Sequence, residues 1–255
     1  MKQTRSLAIL FASAAVLLGT AGARAQDASQ PVVEPETLVA LNRMGAALQA
    51  LTDFSLEAET TRESVLETGQ KLQYGGTLQI VAHRPDRFRI SVRSDTQNRD
   101  YYYDGKTLTV VAPTLKYYAQ RKAPPTIRQV LAAVQDKYGI DLPLADLFEW
   151  GTDPAQRKAL ESGYTVRPAM IDGRACVQYA FRQPHVDWQV WIAASEPALP
   201  CKLVITNRDD PSLPQYSAVM KWQVGTAPTP DAFAFKPPAG FSKIALADNA
   251  IGGGK

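Results

Sequence analysis

Hydrophobic positions along the chain change period twice, and each change marks an element boundary. Leu38, Leu41, Met44, Leu48 and Leu51 recur at three- and four-residue spacing, the signature of one helical face. Pro35 and Glu36 suit the first turn of that helix, and Asn42, Arg43 and Gln49 fall off its apolar stripe. A helix of this kind must dock on something. From Phe54 the period becomes two: Phe54, Leu56, Ala58 and Thr60 alternate with Ser55, Glu57, Glu59 and Thr61. After a turn at Thr68-Gly69 the alternation resumes over 72–80, 88–92, 101–103, 108–110 and 116–118. Asp104-Gly105 predicts a two-residue hairpin. Successive short strands with brief turns imply an antiparallel meander.

The alternation breaks at Pro124-Pro125. Thr126 is placed to cap a helix carrying Ile127, Val130, Leu131, Val134 and Tyr138, and Gly139 to close it. Residues 142–150 form a second, very apolar helical piece, and 152–161 add a further turn. Strands return over 164–171, turn at Asp172-Gly173, and continue over 175–182, 187–192, 202–206 and 216–224. The fold class is therefore mainly β (α+β): an antiparallel sheet of ten or eleven strands, preceded by a helix and interrupted by a helical insertion over about 126–161. A twisted sheet of that size curls. The expectation is a half-open β-barrel with a helical lid, formed as a single domain over 35–247.

Composition changes this picture mainly at the N-terminus. Lys2 and Arg5 precede an apolar run over 7–19, and Ala23-Arg24-Ala25 follows. That is a secretory signal peptide over 1–25, cleaved after Ala25, with an apolar run too short to anchor in a bilayer. It predicts a periplasmic protein with a loose leader over 26–34 and a flexible tail over 248–255. Removing Lys2, Arg5 and Arg24 leaves 25 basic residues against 25 acidic ones, a formal charge of zero. A nucleic-acid partner, which needs a positive face, has no support. Arg84, Arg87, Arg89 and Arg93 read as the solvated face of a strand. No later stretch reaches the ~18 apolar residues of a membrane-spanning helix.

Candidate chemistry is sparse. No Gly-x-Ser-x-Gly, HExxH or phosphate-cradling glycine loop occurs. Asp53, His83, His185, Asp187 and Asp209-Asp210 each have a local structural role available, so no enzyme and no cofactor are expected. Two cysteines and two histidines at scattered positions match no metal-ligand spacing. An exported pair of cysteines invites a disulfide, but the meander argues against one. It puts Cys176 opposite Ala193 and Ala193 opposite Pro200, leaving Cys201 level with Cys176 but two strands away. At ~4.8 Å per strand the gap is ~10 Å, beyond the ~7 Å reach of a disulfide. Cys176 and Cys201 are expected to be free thiols. The unusual feature is aromatic supply: Phe88, Tyr102, Tyr118, Trp188 and Trp191 lie on strands and Phe148 on the insertion. They either fill the core of the curled sheet or wall a concavity left partly open to an apolar ligand.

Several blocks carry a family resemblance. They are Arg84-Pro85-Asp86-Arg87-Phe88-Arg89, Tyr101 through Leu108, Tyr138 through Phe148, Asp187-Trp188-Gln189-Val190-Trp191-Ile192 and Leu199-Pro200-Cys201-Lys202-Leu203-Val204-Ile205, with Tyr216 through Trp222 and the Phe235-Lys236-Pro237-Pro238 ending. Together they resemble the predicted periplasmic family called domain of unknown function 2092, grouped with the LolA/LolB lipoprotein-carrier fold. Cys201 departs from the basic or polar residue that the resemblance leads one to expect there. The resemblance implies a half-barrel with a lid whose relatives hold acyl chains in the concavity. Joined to the lid residues Leu131, Val134, Leu142, Leu144, Leu147 and Phe148, it points to a non-enzymatic binding or carrier protein for a lipid-like or acylated ligand. The alternative is a cell-envelope interaction module with a filled core and a protein partner. A hydrolase would require Asp53, Asp187 or a histidine to cluster in one cleft.

Overall fold

The order of the strands decides where the helices must go. A computed structural model describes residues 32–140, 142, 144–150 and 157–246. The expected signal peptide with its cleavage site, most of the leader, the tail and residues 151–156 of the insertion lie outside the described residues. Helix α1 (Pro35–Ala50) is followed by strands β1 (Asp53–Val65), β2 (Lys71–His83), β3 (Arg87–Ser94), β4 (Asn98–Tyr103), β5 (Thr107–Ala112) and β6 (Tyr117–Lys122). Helices α2 (Ile127–Tyr138) and α3 (Asp146–Glu149) come next. Then follow β7 (Ser162–Ile171), β8 (Arg174–Gln183), β9 (Val186–Ala193), β10 (Pro200–Asn207), β11 (Gln215–Val224) and a two-residue β12 (Ser242–Lys243).

These strands form one open, curved sheet in the order β12-β6-β5-β4-β3-β2-β1-β11-β10-β9-β8-β7. Two antiparallel meanders are joined where β1 pairs with β11, Leu56 opposite Trp222 and Ala58 opposite Met220. The meander expectation holds, with eleven expected strands present. The twelfth is an addition: β12 pairs parallel with β6 through Ser242 and Lys243, a contact with no periodicity to announce it.

Because β6 lies at one end of the sheet, inside only the two-residue β12, and β7 at the other, the chain between them must cross a whole face. That crossing is the helical insertion. Its start is locally encoded: the Thr126 hydroxyl accepts the Gln129 N–H, and Gly139 ends α2 in the left-handed conformation at φ 60°. Ile127, Val130, Leu131 and Val134 point into the core. Helix α1 lies on the same face, burying Leu41, Met44 and Leu48. Its start can approach β7 because residue 163 is glycine; a Cβ there would sit 3.0 Å from both the Thr37 hydroxyl and the Phe181 ring.

The C-terminal segment crosses the other face. Register puts Phe88 opposite Tyr103 and Arg89 opposite Tyr102, so these two pairs face opposite ways. Phe88 and Tyr103 are in the main core. On the outer face Phe235 packs between Tyr102 and Tyr118 at 5.4 and 5.2 Å, and the Arg87 guanidinium lies 5.8 Å from the Phe233 ring. This segment then delivers β12 to the β6 edge.

Two local expectations need correction. The tip of the β4–β5 hairpin is Gly105-Lys106, one residue later than expected, because the Asp104 N–H bonds the Thr107 carbonyl. The Asp104 carboxylate accepts the Lys106 and Thr107 N–H groups instead of occupying the turn. More consequentially, Cys176 and Cys201 form a disulfide with their Cα atoms 6.8 Å apart. Cys176 does lie opposite Ala193, as the meander implies. Pro200, however, pairs with Ile192, and a bulge between Pro200 and Lys202 leaves Cys201 as the extra residue. A bulge bends its strand and re-aims a side chain. Here it turns Cys201 onto the outer face with Trp191, Ala193 and Val204, and the curled sheet closes the distance that a flat lattice leaves open. The bridge spans β8 to β10 across the small Ala193.

Candidate functional site

The concave face is solid on one side and hollow on the other. Under the first meander, Leu78, Ile80, Phe88, Ile90 and Tyr103 are almost completely buried, in the same core as the apolar face of α2. Phe148 of α3 is the keystone, 5.8 Å from Phe54 and 6.5 Å from Phe88. Arg84, leaving β2, donates to the carbonyls of Phe148 and Leu147 at 3.2 and 3.3 Å, and its guanidinium lies 5.4 Å from the Phe148 ring centre. Burial, and then the nearby Arg128, push the Arg84 pKa down from its ordinary value. Tyr103 donates to the Pro124 carbonyl at 2.6 Å, and burial raises its phenol pKa to about 12.

Under the second meander there is a cavity of about 360 Å³. Its floor is Trp188 and Val190 of β9, Leu203 and Ile205 of β10, and Tyr216 and Met220 of β11. Its roof is Leu41 and Met44 of α1 with Leu144, Leu147 and Trp150 of the insertion. Pro200 and Leu160 complete the apolar wall, and Asn42, Asp146, Arg157 and Gln183 are its polar members. The floor follows from register: Trp188 opposes Ile205 and Val190 opposes Leu203, and Ile205 opposes Tyr216 in turn. Each rung presents aliphatic or aromatic carbon to the roof.

Polar contacts gather around the rim. Arg157 donates to the side-chain amide oxygen of Asn42, and the Gln49 side-chain amide donates to the Trp150 backbone carbonyl at 2.8 Å. Arg182 grips Asp187 with two 2.7 Å bonds, which hold the Asp187 carboxyl below its ordinary pKa. Arg208 donates to the Gln183 carbonyl at 2.8 Å and so steadies the β8–β9 turn beside the cavity. The Tyr216 hydroxyl is buried and has no hydrogen-bond partner among the described residues, and burial pushes its pKa up to about 12.

Of the residues singled out in the sequence, Leu144, Leu147 and Trp188 line this cavity. Phe88, Leu131, Val134, Leu142 and Phe148 are buried in the solid core beside it. Tyr102 and Tyr118 lie on the outer face under Phe235. Trp191 is also on the outer face, in the disulfide cluster, with the Lys202 ammonium 4.9 Å from its ring. Sequence reasoning missed Val190, Pro200, Leu203, Ile205, Tyr216 and Met220. They alternate like every other strand position, and only the sheet order brings them under the hollow part of the roof.

Asp53 and His83 pair, but the other titratable candidates lie apart from them. Asp53 bonds His83 at 2.7 Å at the start of β1, where the Gly225 N–H meets the Asp53 carbonyl. Asp187 pairs with Thr206, which pairs with Gln215. Gln215 and Val224 are opposite ends of β11, so nine residues at ~3.3 Å place Asp53 and Asp187 ~30 Å apart. His185 bonds Asp209 at an exposed turn. Among the described residues no cluster of His, Cys, Asp and Glu could hold a metal ion, and no helix is long and apolar enough to cross a membrane.

A curved open sheet roofed by a crossing insertion is the half-barrel class that the resemblance implied. The sequence model for predicted periplasmic proteins with domain of unknown function 2092 matches residues 37–247, and the chain belongs to that family. No curated protein matches it in sequence. Among solved structures, it is similar to the MucA/MucB complex of Pseudomonas aeruginosa at 16% identity and TM-score 0.41, covering 79% of this chain and 61% of that one. It is similar to the lipoprotein LppX of Mycobacterium tuberculosis at 11% identity and TM-score 0.41, covering 74% and 94%. A LolA-superfamily protein of Nitrosomonas europaea gives 8% identity and TM-score 0.35, covering 78% and 97%.

Proposed function

We propose that this protein is a non-enzymatic periplasmic binding or carrier protein that holds a hydrophobic, lipid-like or acylated ligand between the second meander and its helical roof. The cavity of about 360 Å³ carries this reading. Apolar side chains that line a space of that size lack packing partners on one side. Water entering at the rim finds no hydrogen-bond partner along the side chains of Val190, Leu203, Ile205 and Met220. An acyl chain supplies the missing contacts, at ~0.8 kcal/mol for each methylene buried. The interaction-module alternative expects a filled interior, so the cavity favours a ligand over it.

Native mass spectrometry of protein purified from its own periplasm tests the reading. The expected result is a co-purifying lipid that extraction removes, after which the protein binds a hydrophobic dye that fatty acids displace. Protein that is always empty and binds no dye would count against a carrier and return weight to a protein partner.

A further inference from the structure

Resting on that reading, we infer that the cavity takes a single unbranched hydrocarbon chain, methyl end first, and that Met220, Met44 and Pro200 set its maximum length. The two ends of the cavity differ. At one end the floor rung is Trp188, Ile205 and Tyr216, beside the β8–β9 turn residues Gln183 and Val186 and the exposed Arg157. At the other end the floor stops at Met220 and Pro200. Behind them the Trp222 indole N–H donates to the Pro200 carbonyl at 2.7 Å, and Trp222 packs on Phe54 at 5.7 Å. Neither Trp222 nor Phe54 reaches the cavity wall. Met44 of the roof is 2% exposed and Met220 of the floor 4%, and both line the cavity. One end therefore meets polar, accessible side chains, and the other ends blindly on sulfur and carbon.

Two independent measures agree on what fits. Tyr216 to Met220 is four residues of strand, ~13 Å of floor. A zigzag of ~1.5 Å bonds advances ~1.25 Å per carbon, so that floor holds about ten carbons. By volume, about 360 Å³ at ~30 Å³ per non-hydrogen atom gives about twelve. Two chains side by side would need twice the volume. The stop is soft, because methionine is unbranched and adapts its shape to what it packs against.

Dye displacement with a homologous series of alkanoates and alkanols, from eight to eighteen carbons, tests the inference on delipidated mature protein, with Trp150 and Trp188 fluorescence as a second readout. Affinity should rise about 4-fold per added methylene until about ten to twelve carbons and then level off, at the same length for both head groups. Met220→Ala should move the break to longer chains, Met220→Leu should leave it in place, and Leu203→Trp, which fills the middle of the floor, should move it to shorter ones. Since Leu203→Trp adds bulk to a void, it carries the test if Met220→Ala fails to fold. An unbroken rise to octadecanoate, or a break that neither folded variant moves, overturns this inference while leaving the carrier reading intact. If no chain of any length binds, both fall together.

Discussion

Two tyrosines with similarly raised pKa values do opposite things for stability. The Tyr103 hydroxyl satisfies the Pro124 carbonyl, whereas the Tyr216 hydroxyl has no partner among the described residues. Tyr103→Phe strands a carbonyl acceptor and should cost about 1–3 kcal/mol, while Tyr216→Phe discards a desolvated hydroxyl without loss and should be neutral or slightly stabilising. Urea denaturation of the two variants should therefore give shifts of different sign or size. Both phenols ionise near 12 in the fold, against about 10 in an unfolded chain. The unfolded state then loses its protons first, so their contribution is complete below pH ~10 and drains away as the pH climbs to ~12. The urea midpoint should fall across that window, and each Phe substitution should make the fall shallower.

At the scale of elements, α3 is four residues long and holds its place through side chains. Phe148 faces Phe54 and Phe88 in solid core, while Trp150 faces Trp188 across 5.1 Å at the cavity edge. Phe148→Ala should cost about 3–5 kcal/mol. Trp150→Ala should cost less, because part of its contact surface is already open, and thermal melts of the pair should rank them so. The disulfide is the other tie between elements. Replacing Cys176 and Cys201 together by alanine should lower stability by about 2–4 kcal/mol, seen as an earlier urea midpoint that matches wild type measured under reducing conditions. Local elements were legible wherever chemistry and structure are neighbours in sequence. Thr126 and Gly139 bound α2, and Asp172-Gly173 makes the β7–β8 turn with φ 46° and 76°. The bulge at Cys201 was not legible, because alternation reports which face a residue takes only while the register is unbroken.

At the scale of the whole molecule, the proposed ligand should act as part of the fold. A chain present at a hundred times its dissociation constant adds about 2.7 kcal/mol to stability. For a chain of this size that is a rise in melting temperature of about 5–10 °C, readable by calorimetry with and without dodecanoate. Periodicity by itself determined that this protein is a strongly curved meander with a docked helix and a helical interruption, since those features need only the near neighbours of each residue. It could not determine which strands become the ends of the sheet. The pairing of β1 with β11 does that, between residues 54–62 and 216–224, and only long-range register creates it. From that pairing follow the edge-to-edge crossing of the insertion and its tight seat over the first meander. The space left between α1, α3 and the second meander follows as well. Aromatic residues were visible from the start, but whether each fills, walls or lies outside that space was decided by the third dimension.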